Sequence, residues 1–309
     1  MKVIVTGASG FLGHNVLLRA PRAWRIVAVS HTTPGLDRFV AEYGLTHVRT
    51  FRGDLKTADD VARLVGMVDG RADAVLYLAA NGDPALSSER PRLDLESNVT
   101  ALVSFLEGCP ADHLVYMSSG AVYDGLQGPV TPETPVSPRL PYAIAKLACE
   151  QYVRFFAERR KSLGSYVNVR FFGAYGPYEA ERKITTRWLR AMAAGQREFT
   201  IRGDGRNLID FMYVDDAVAG LIKLVEARGQ SLTVDFASGS PVSIDDIVAA
   251  MARTLGVAIS VRHEGTVAEY IEFRSADTTM RDRYGVVPSI PFDEGLRRLA
   301  EFFQEQPAS

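Results

Sequence analysis

The first thirteen residues contain the pattern that most restricts how this chain can fold. An apolar run, Val3-Ile4-Val5-Thr6, leads directly into Gly7-Ala8-Ser9-Gly10-Phe11-Leu12-Gly13 and a helical stretch. Glycines at this spacing allow a sharp strand-to-helix turn and a close approach of the backbone to a pyrophosphate. The amides of Gly10, Phe11 and Leu12 would face the phosphates at the positive end of the helix. A βα turn without a ligand is the alternative, but glycines between a strand and a helix favour dinucleotide binding.

Short apolar runs and longer helical stretches alternate through the first 175 residues. The predicted strands are Lys2–Thr6, Arg25–Val29, His47–Phe51, Ala74–Leu78, His113–Met117 and Tyr166–Phe171. The predicted helices are Phe11–Arg19, Leu36–Tyr43, Ala58–Val65, Leu93–Glu107 and Tyr142–Arg160. Connections of this length exclude hairpins, and strands with few polar positions are typical of a parallel sheet covered on both faces. We predict an α/β, doubly wound (Rossmann) fold, with an antiparallel α+β domain as the alternative.

The residue pattern changes after Gly176-Pro177, in the second half of the chain. Charged residues cluster first, and further strands and helices are then predicted in Leu208–Val225, Thr233–Phe236, Ile244–Leu255 and Phe292–Phe303. A length of 309 residues suits one large domain with an appendage. We predict an NAD(P)-binding domain at 1–175, to which 208–236 returns, and a smaller substrate-binding α/β cap formed by most of 176–309.

The composition excludes several classes of partner. Thirty-five Lys and Arg against 37 Asp and Glu give a net charge of −2, which does not favour nucleic acid or an anionic membrane. No apolar run approaches the roughly 20 residues that span a bilayer. Two cysteines exclude a disulfide scaffold, and five scattered histidines have no metal-ligand spacing. We expect a cytoplasmic protein that binds a small molecule and no metal.

The end of the second predicted strand bears on the choice of cofactor. A carboxylate about 20 residues after the glycines would hold the adenosine ribose of NAD and repel a 2′-phosphate. This chain has Ser30 and His31 there instead. The sequence therefore favours NADP over NAD, although Ser30 bonding a ribose hydroxyl would accommodate either.

Two further segments carry groups suited to acid–base chemistry. Tyr142 and Lys146 are four residues apart, so they share one face of a predicted helix, and a nearby cation favours a phenolate. Ser118 and Ser119 end an apolar strand, at the edge of a doubly wound sheet where ligands bind. Each pattern alone also fits a solvent-facing pair or a helix cap. Together with the glycine turn they indicate an active site in which Ser119 and Tyr142 share one substrate oxygen.

The whole set resembles the extended short-chain dehydrogenase/reductase family, in particular its NAD(P)-dependent nucleotide-sugar epimerases and dehydratases of the UDP-glucose 4-epimerase type. The resemblance runs nearly end to end. Its motifs are the Gly7–Gly13 turn, Gly53-Asp54-Leu55, Leu78-Ala79-Ala80, Ser118-Ser119, the Tyr142/Lys146 pair, Arg170-Phe171-Phe172-Gly173-Ala174-Tyr175-Gly176-Pro177, Arg202-Gly203-Asp204-Gly205, Asp210-Phe211-Met212-Tyr213-Val214-Asp215-Asp216-Ala217 and Phe236-Ala237-Ser238-Gly239-Ser240.

The resemblance implies a role for each motif. Asp54 and Leu55 would flank the adenine, and Leu78, Ala79 and Ala80 would line the ribose and pyrophosphate. Asn98 and Phe171 would lie near the nicotinamide. Tyr142 would remove a proton from a sugar hydroxyl, usually at C4, while Ser119 holds that oxygen and Lys146 binds the nicotinamide ribose. Further substrate contacts are predicted at Asn81, Gly173, Lys183 and Arg206.

Departures from the family pattern narrow the predicted activity. Gly120 and Ala121 follow the serines where dehydratases of the group carry an acid, which argues against 4,6-dehydration. Two arginines that grip the diphosphate in the family are replaced by Ile209 and Val267. Arg182, Lys183 or Arg206 could compensate, although a solvated charged surface explains each of them as well.

We therefore predict a nucleotide-sugar epimerase or 4-keto-reductase. A dehydrogenase of a non-nucleotide sugar or another small alcohol is the second enzyme class, and a non-catalytic NAD(P) sensor is a third reading that the retained Tyr/Lys pair disfavours. The family commonly dimerises through the helices that contain Leu93–Glu107 and Tyr142. Apolar Leu102, Phe105, Val153 and Phe156 permit a homodimer here, but core packing would explain them equally well.

Overall fold

The computed structural model describes residues 1–266 and 271–305. The strands in these residues are β1 (Lys2–Thr6), β2 (Arg25–Ser30), β3 (Val48–Arg52), β4 (Ala74–Tyr77), β5 (Ala111–Ser119), β6 (Gln127–Val130), β7 (Leu163–Phe171), β8 (Ala174–Tyr175), β9 (Glu198–Arg202), β10 (Leu208–Ile209), β11 (Met212–Tyr213), β12 (Leu232–Phe236), β13 (Val242–Ser243), β14 (Ser260–Glu264) and β15 (Glu272–Ser275). The α-helices are α1 (Phe11–Arg19), α2 (Leu36–Glu42), α3 (Ala58–Gly66), α4 (Pro84–Glu89), α5 (Pro91–Leu95), α6 (Ala101–Gly108), α7 (Pro141–Phe155), α8 (Ile184–Ala193), α9 (Val214–Glu226), α10 (Ile244–Leu255), α11 (Thr279–Tyr284) and α12 (Phe292–Glu305).

Seven strands form one parallel sheet in the order β12-β7-β5-β4-β1-β2-β3. The order reverses at β1, which pairs with β2 on one side and β4 on the other. In a doubly wound sheet, ligands bind outside the carboxyl ends of the strands at such a reversal. The predicted α/β parallel fold is confirmed, and the antiparallel alternative is wrong because every pair in this sheet is parallel.

Both faces of the sheet are buried, which explains why its strands lack polar alternation. In β1, Val3 and Val5 pack into one apolar layer while Ile4 packs into the other. Successive side chains of a strand point to opposite faces, so an uninterrupted apolar run is needed where both faces are covered. The strands consequently hold the glycine turn and the serine-bearing end of β5 on one rigid frame.

Two helices differ in detail from their prediction. The stretch predicted as one helix over Leu93–Glu107 consists of α5, a wide π-type turn at Glu96–Thr100, and α6. Helix α7 likewise passes into a π-type turn at Phe156–Arg160. Such turns inside helices are frequently found at functional sites, and the first of them contains Asn98.

The segment 208–236 contributes to the sheet in part. Strand β12 joins the seven-stranded sheet beside β7, and α9 packs Val218 and Leu221 into the layer that also contains Val16 of α1. Strands β10 and β11 instead pair with β13 and β8. No helix in the part of the chain described here is long and apolar enough to cross a membrane. The same residues contain no cluster of three side chains that could hold a metal ion.

Candidate active site

The glycine turn leaves no room for side chains. Gly7 has a φ of 64°, and a Cβ built on it would lie 2.8 Å from the Ala79 amide nitrogen. A Cβ on Gly13 would lie 2.4 Å from the Gly7 carbonyl oxygen and 2.6 Å from the Ala8 Cα. These are backbone atoms that cannot rotate away. Helix α1 therefore lies against the turn, as a pyrophosphate cradle requires.

The backbone amides at the start of α1 differ in whether they are free to donate a hydrogen bond to a ligand. The Gly10 amide donates to the Gly7 carbonyl at 3.0 Å, so it closes the turn. The Gly10 amide is therefore engaged within the turn, and the contact of Gly10 with a phosphate stays a prediction. No side chain caps α1, and the first amides of a helix have no partner within it. Phe11 and Leu12 thus keep their amides at the positive end of the helix, which fits a phosphate.

Thr6 connects the turn to the end of β4. Its buried hydroxyl accepts hydrogen bonds from the amides of Leu78 and Ala79, both at 3.0 Å. These amides are therefore used within the protein, while Ala80 is exposed beyond them. Sequence reasoning missed Thr6, although a hydroxyl at the end of an apolar strand was a visible signal.

The ends of β2 and β3 bring Ser30, His31, Asp54 and Leu55 together. The Gly53 amide donates to the Ser30 carbonyl at 3.0 Å, and His31 Nε2 lies 3.7 Å from Asp54 Oδ2. Ser30 and Leu55 are buried, and the His31 side chain is 57% exposed. A carboxylate thus stands beside His31 even though it comes from β3 rather than β2. This edge places an imidazole and a carboxylate side by side, and such hydrogen-bonding groups fit an adenosine.

Strand β5 and helix α7 bring the predicted catalytic groups to the same edge of the sheet. Ser119 Oγ accepts from the Ala121 amide at 3.1 Å, which fixes the side chain at the end of β5. Lys146 is buried and donates from Nζ to the Met117 carbonyl at 2.8 Å. Its Nζ lies 5.7 Å from the centre of the half-buried Tyr142 ring. A cation, a phenol and a hydroxyl therefore share one region, and this set can perform acid–base chemistry.

A buried ion pair lies under these groups. Glu150 accepts from Arg170 Nε and Nη2 at 3.1 and 2.9 Å, and from Ser118 Oγ at 2.5 Å. Burial alone would lower the pKa of Arg170, but the hydrogen bonds that Arg170 donates to Glu150 raise its pKa above the ordinary value. Glu150 is one helical turn after Lys146, and Ser118 precedes Ser119. The ion pair therefore holds β5 and α7 in register behind the site.

The ion pair continues into a polar chain toward the C-terminal part. Arg170 Nη1 donates to Tyr123 Oη at 3.0 Å, and this hydroxyl donates to Asp235 Oδ1 at 2.8 Å. Ser275 Oγ donates to the other carboxylate oxygen of Asp235 at 2.8 Å. Burial raises the pKa of Asp235 to about 7. Sequence reasoning missed this chain because its members are far apart in the sequence.

Asn98 is held from below by Asp94. Asp94 Oδ1 accepts from Asn98 Nδ2 at 2.8 Å and from Asn81 Nδ2 at 2.9 Å, and Asn98 Oδ1 accepts from the Asn81 amide at 2.9 Å. Burial raises the pKa of Asp94, against the opposing effects of the Asn81 hydrogen bond and the Lys146 charge. The two predicted asparagines are thus brought together by a third residue that sequence reasoning missed.

With this geometry established, comparison with known proteins identifies the family. Residues 3–234 match the NAD dependent epimerase/dehydratase family. The chain belongs to this family. The resemblance drawn from its motifs is confirmed.

Several epimerase/dehydratase proteins are similar along their whole length. A UDP-glucose 4-epimerase of Mycolicibacterium smegmatis is 26% identical, with 99% of each chain covered. A UDP-glucuronate 4-epimerase of Thermodesulfobacterium geofontis is 25% identical, covering 98% of this chain and 96% of that one. The structure of MoeE5 in complex with UDP-glucose and NAD is 26% identical with a TM-score of 0.84, and 100% of both chains is covered. A UDP-glucose 4-epimerase structure from Thermotoga maritima, 21% identical, has a TM-score of 0.87 over 100% of both chains and shows the same fold.

The C-terminal part of this epimerase/dehydratase family member has fewer charges at the expected positions. Ile209 lies in β10 and pairs with Val242 of β13, so an apolar side chain stands where the family has an arginine. Val267 lies outside the described residues. Arg182 Nη1 is 3.4 Å from Asp83 Oδ2, next to the Asn81 loop.

The remaining predicted residues have the following places. Phe171 ends β7 with its ring 5.8 Å from that of Phe236, and Gly173 accepts the Met212 amide at 3.2 Å. Lys183 is exposed before α8, and the Arg206 side chain is 86% exposed and 4.0 Å from Asp204. Among the residues described, neither Lys183 nor Arg206 contacts the region around Tyr142.

Proposed function

We propose that this chain is an NAD(P)-dependent nucleotide-sugar 4-epimerase. The observation that carries the proposal is the meeting of the glycine cradle, Ser119, Tyr142 and Lys146 at one edge of the parallel sheet. End-to-end similarity to UDP-sugar 4-epimerases supports UDP-sugars as the first substrates to test.

The proposed roles follow from the positions of the side chains. When bound, NAD would supply the redox chemistry at the sugar C4. Tyr142 takes the proton of the C4 hydroxyl and later returns it, and Ser119 holds the same oxygen through its hydroxyl. Lys146 supports the phenolate with its charge and donates to ribose hydroxyls. Phe11 and Leu12 bind phosphate through their amides.

The space after Ser119 favours epimerisation over dehydration. A Cβ on Gly120 would lie 3.1 Å from the Phe172 ring, so a side chain there would require that ring to shift by a few tenths of an ångström. A 4-keto-reductase uses the same three side chains and is the second candidate. The apolar Ile209 supports a third, a dehydrogenase of an alcohol without a diphosphate.

Turnover of candidate substrates tests the proposal directly. The protein is incubated with NAD and UDP-, GDP-, dTDP- or CDP-sugars, and inversion at C4 is followed by proton NMR. We expect inversion of at least one UDP-sugar and its loss in Tyr142→Phe, with cofactor affinity little changed. Tyr152→Phe is the matched control, since Tyr152 is 41% exposed on the same helix and outside the site. Inactivity on every nucleotide sugar would refute the proposal.

The cofactor preference is a separate proposal. The sequence favours NADP, and Arg52 supports this by donating from Nε to the His31 carbonyl at 3.1 Å, which brings a guanidinium to the end of β2. Asp54 beside His31 and the NAD in the MoeE5 structure support NAD. Binding constants for the two cofactors, in the chain and in Arg52→Gln, decide between them. Equal or tighter NAD binding by the unmodified chain would refute the preference for NADP.

We also propose a homodimer, through a different set of residues from those the sequence indicated. Leu102, Phe105, Val153 and Phe156 are buried in the core. The exposed apolar residues on the same helices are Leu93, Leu95, Ile144, Tyr152 and Phe155. Ile144, Tyr152 and Phe155 share one face of α7, as their spacing of eight and three requires. Light scattering should give twice the chain mass, and Ile144→Glu should give the chain mass alone.

The domain organisation and the cellular location remain proposals. We propose residues 1–175 with β12 and α9 as the NAD(P)-binding part and most of 176–309 as the substrate cap. Limited proteolysis with and without a UDP-sugar should show protection confined to the cap. A cytoplasmic location is also proposed and is supported by two buried cysteines without a disulfide.

A further inference from the structure

A cavity of about 250 Å³ opens at the N-terminal ends of β1, β2 and β3. Apolar side chains of Val27, Met67 and Val68 contribute to its wall, and its charged lining includes Lys2, Arg25, Arg49 and Asp69. The cradle lies at the opposite ends of the same strands, roughly 16 Å away along the five residues of β1. This cavity, the N-terminal pocket, is therefore separate from the candidate active site.

The strand register places three cations on one face of the sheet. Lys2 pairs with Arg25, and Arg49 pairs with Val27, which shares a face with Arg25 because side chains alternate along a strand. Like charges that face each other across neighbouring strands destabilise a sheet. Sheet stability therefore does not account for this arrangement.

These cations have few counter-charges. Lys2 Nζ donates to the Val68 carbonyl at 2.7 Å and lies 3.7 Å from Asp69 Oδ2. The guanidinium groups of Arg25 and Arg49 make no ion pair or hydrogen bond within the residues described. Three cations thus face one carboxylate in the lining, whose side chain is 76% exposed, and outside the lining the Asp73 carboxylate accepts the Lys2 backbone amide at 2.6 Å.

His47 is part of the wall of the same cavity. Its Nδ1 lies 3.3 Å from Arg22 Nη1, and a guanidinium can only donate, so Nδ1 is the acceptor. An Nδ1 that accepts carries no proton, and burial and the Arg22 charge, which lower the pKa of His47, act in the same direction. The proton is consequently on Nε2, which is buried and has no partner among the described residues.

We propose that the N-terminal pocket binds a phosphate group. Lys2, Arg25 and Arg49 against Asp69 give the lining a net charge of +2, which matches a phosphate dianion, and the His47 ring is part of the same wall. If the phosphate is part of a nucleotide, the apolar wall accommodates its nucleoside. This site is independent of the proposed epimerase activity.

Two measurements on the full chain test the proposal. Saturating NAD first occupies the cradle, and inorganic phosphate is then titrated by calorimetry at constant ionic strength. We expect Arg25→Gln/Arg49→Gln to lower phosphate affinity about tenfold or more. Arg159→Gln/Arg160→Gln, which removes two exposed arginines elsewhere, should leave it unchanged. Equal affinity in both variants overturns the proposal.

NMR of the histidine rings reports on the pocket whatever binds elsewhere. The Nε2 signal of His47, assigned by its loss in His47→Gln, should shift when phosphate is added. A chemical shift that stays unchanged at saturating phosphate overturns the proposal. Uridine monophosphate is the second probe. Because the proposed substrate site would also bind a uridine nucleotide, binding in the pocket is read from the His47 signal alone. A shift that saturates at a lower concentration than with phosphate would show that the pocket takes a nucleotide, and one that saturates at the same concentration would show that it takes the free anion.

Discussion

Glu150→Gln tests how the candidate active site is held in place. The carboxylate accepts from Arg170 twice and from Ser118 once, and both charged side chains are at most 6% exposed. Glutamine keeps the size but loses the charge and one of the two acceptor oxygens. Arg170 would remain buried without a counter-ion and would lose one of its two bonds to residue 150, while its bonds to Tyr123 and the Pro132 carbonyl remain.

The expected loss of stability is large for one isosteric change. Breaking a buried ion pair by removing one partner costs about 3–5 kcal/mol of unfolding free energy. At roughly 2–4 °C per kcal/mol, the melting temperature should fall by about 10 °C. Turnover should also fall, because Ser118 and Glu150 adjoin the positions of Ser119 and Lys146. Cofactor affinity should change little, because the cradle is on β1 and α1.

Urea unfolding followed by circular dichroism measures the effect. Glu301→Gln is the matched control, since its partner Arg297 and Glu301 itself are more than half exposed, and such pairs contribute about 1 kcal/mol or less. Arg170→Met and the double variant complete the cycle, and the double variant should lose less than the sum of the two single variants. A Glu150→Gln loss no larger than that of the control, or strict additivity in the cycle, would refute the reasoning.

Two further predictions concern the cradle. Gly13→Ala should destabilise the fold by about 1–3 kcal/mol and abolish NAD binding, because the new Cβ would lie 2.4 Å from a backbone atom. Gly66→Ala in α3 is the control and should be neutral or stabilising, because no atom lies within 4 Å of its Cβ position. Melting curves and NAD titrations compare the two variants. Burial lowers the pKa of His14 to about 4 from 6.5, so the unfolded chain binds more protons between these values and stability falls as pH falls through that window. At pH 5 the loss relative to pH 7.5 should be about 1–2 kcal/mol after allowance for partial exposure, and His14→Phe should remove it in urea unfolding; an unchanged pH dependence would contradict this assignment.

Local patterns predicted the parallel sheet well because its strands are buried on both faces. A covered strand before a glycine turn can be predicted from the local run Val3-Ile4-Val5 alone, without information on distant residues. The bounds of β1 and α1 agree with the structure for this reason. The π-type turn at Asn98 was not predictable, since the helical periodicity on either side of it is nearly unbroken.

Contacts between distant segments account for what sequence reasoning missed. Glu150 and Arg170 are 20 residues apart and Tyr123 and Asp235 are 112 apart, so only the folded chain brings them together. The hydrogen bond from the Gly10 amide to the Gly7 carbonyl, which closes the turn, was likewise not visible in the sequence. Loss of the family arginine at Ile209 was visible in the sequence, but its replacement by a paired apolar residue of β10 was not.

The position of β12 beside β7 has a consequence for synthesis of the chain. Strand β7 ends at Phe171, yet the strand that covers its outer edge is complete only at Phe236. At about 5–20 residues per second, a ribosome leaves this edge open for roughly 3–13 s. During that interval β7, apolar along most of its length, presents unpaired backbone groups to other nascent chains. A chain stopped at residue 175 should therefore require a chaperone to stay dispersed, while one that extends past Phe236 should not.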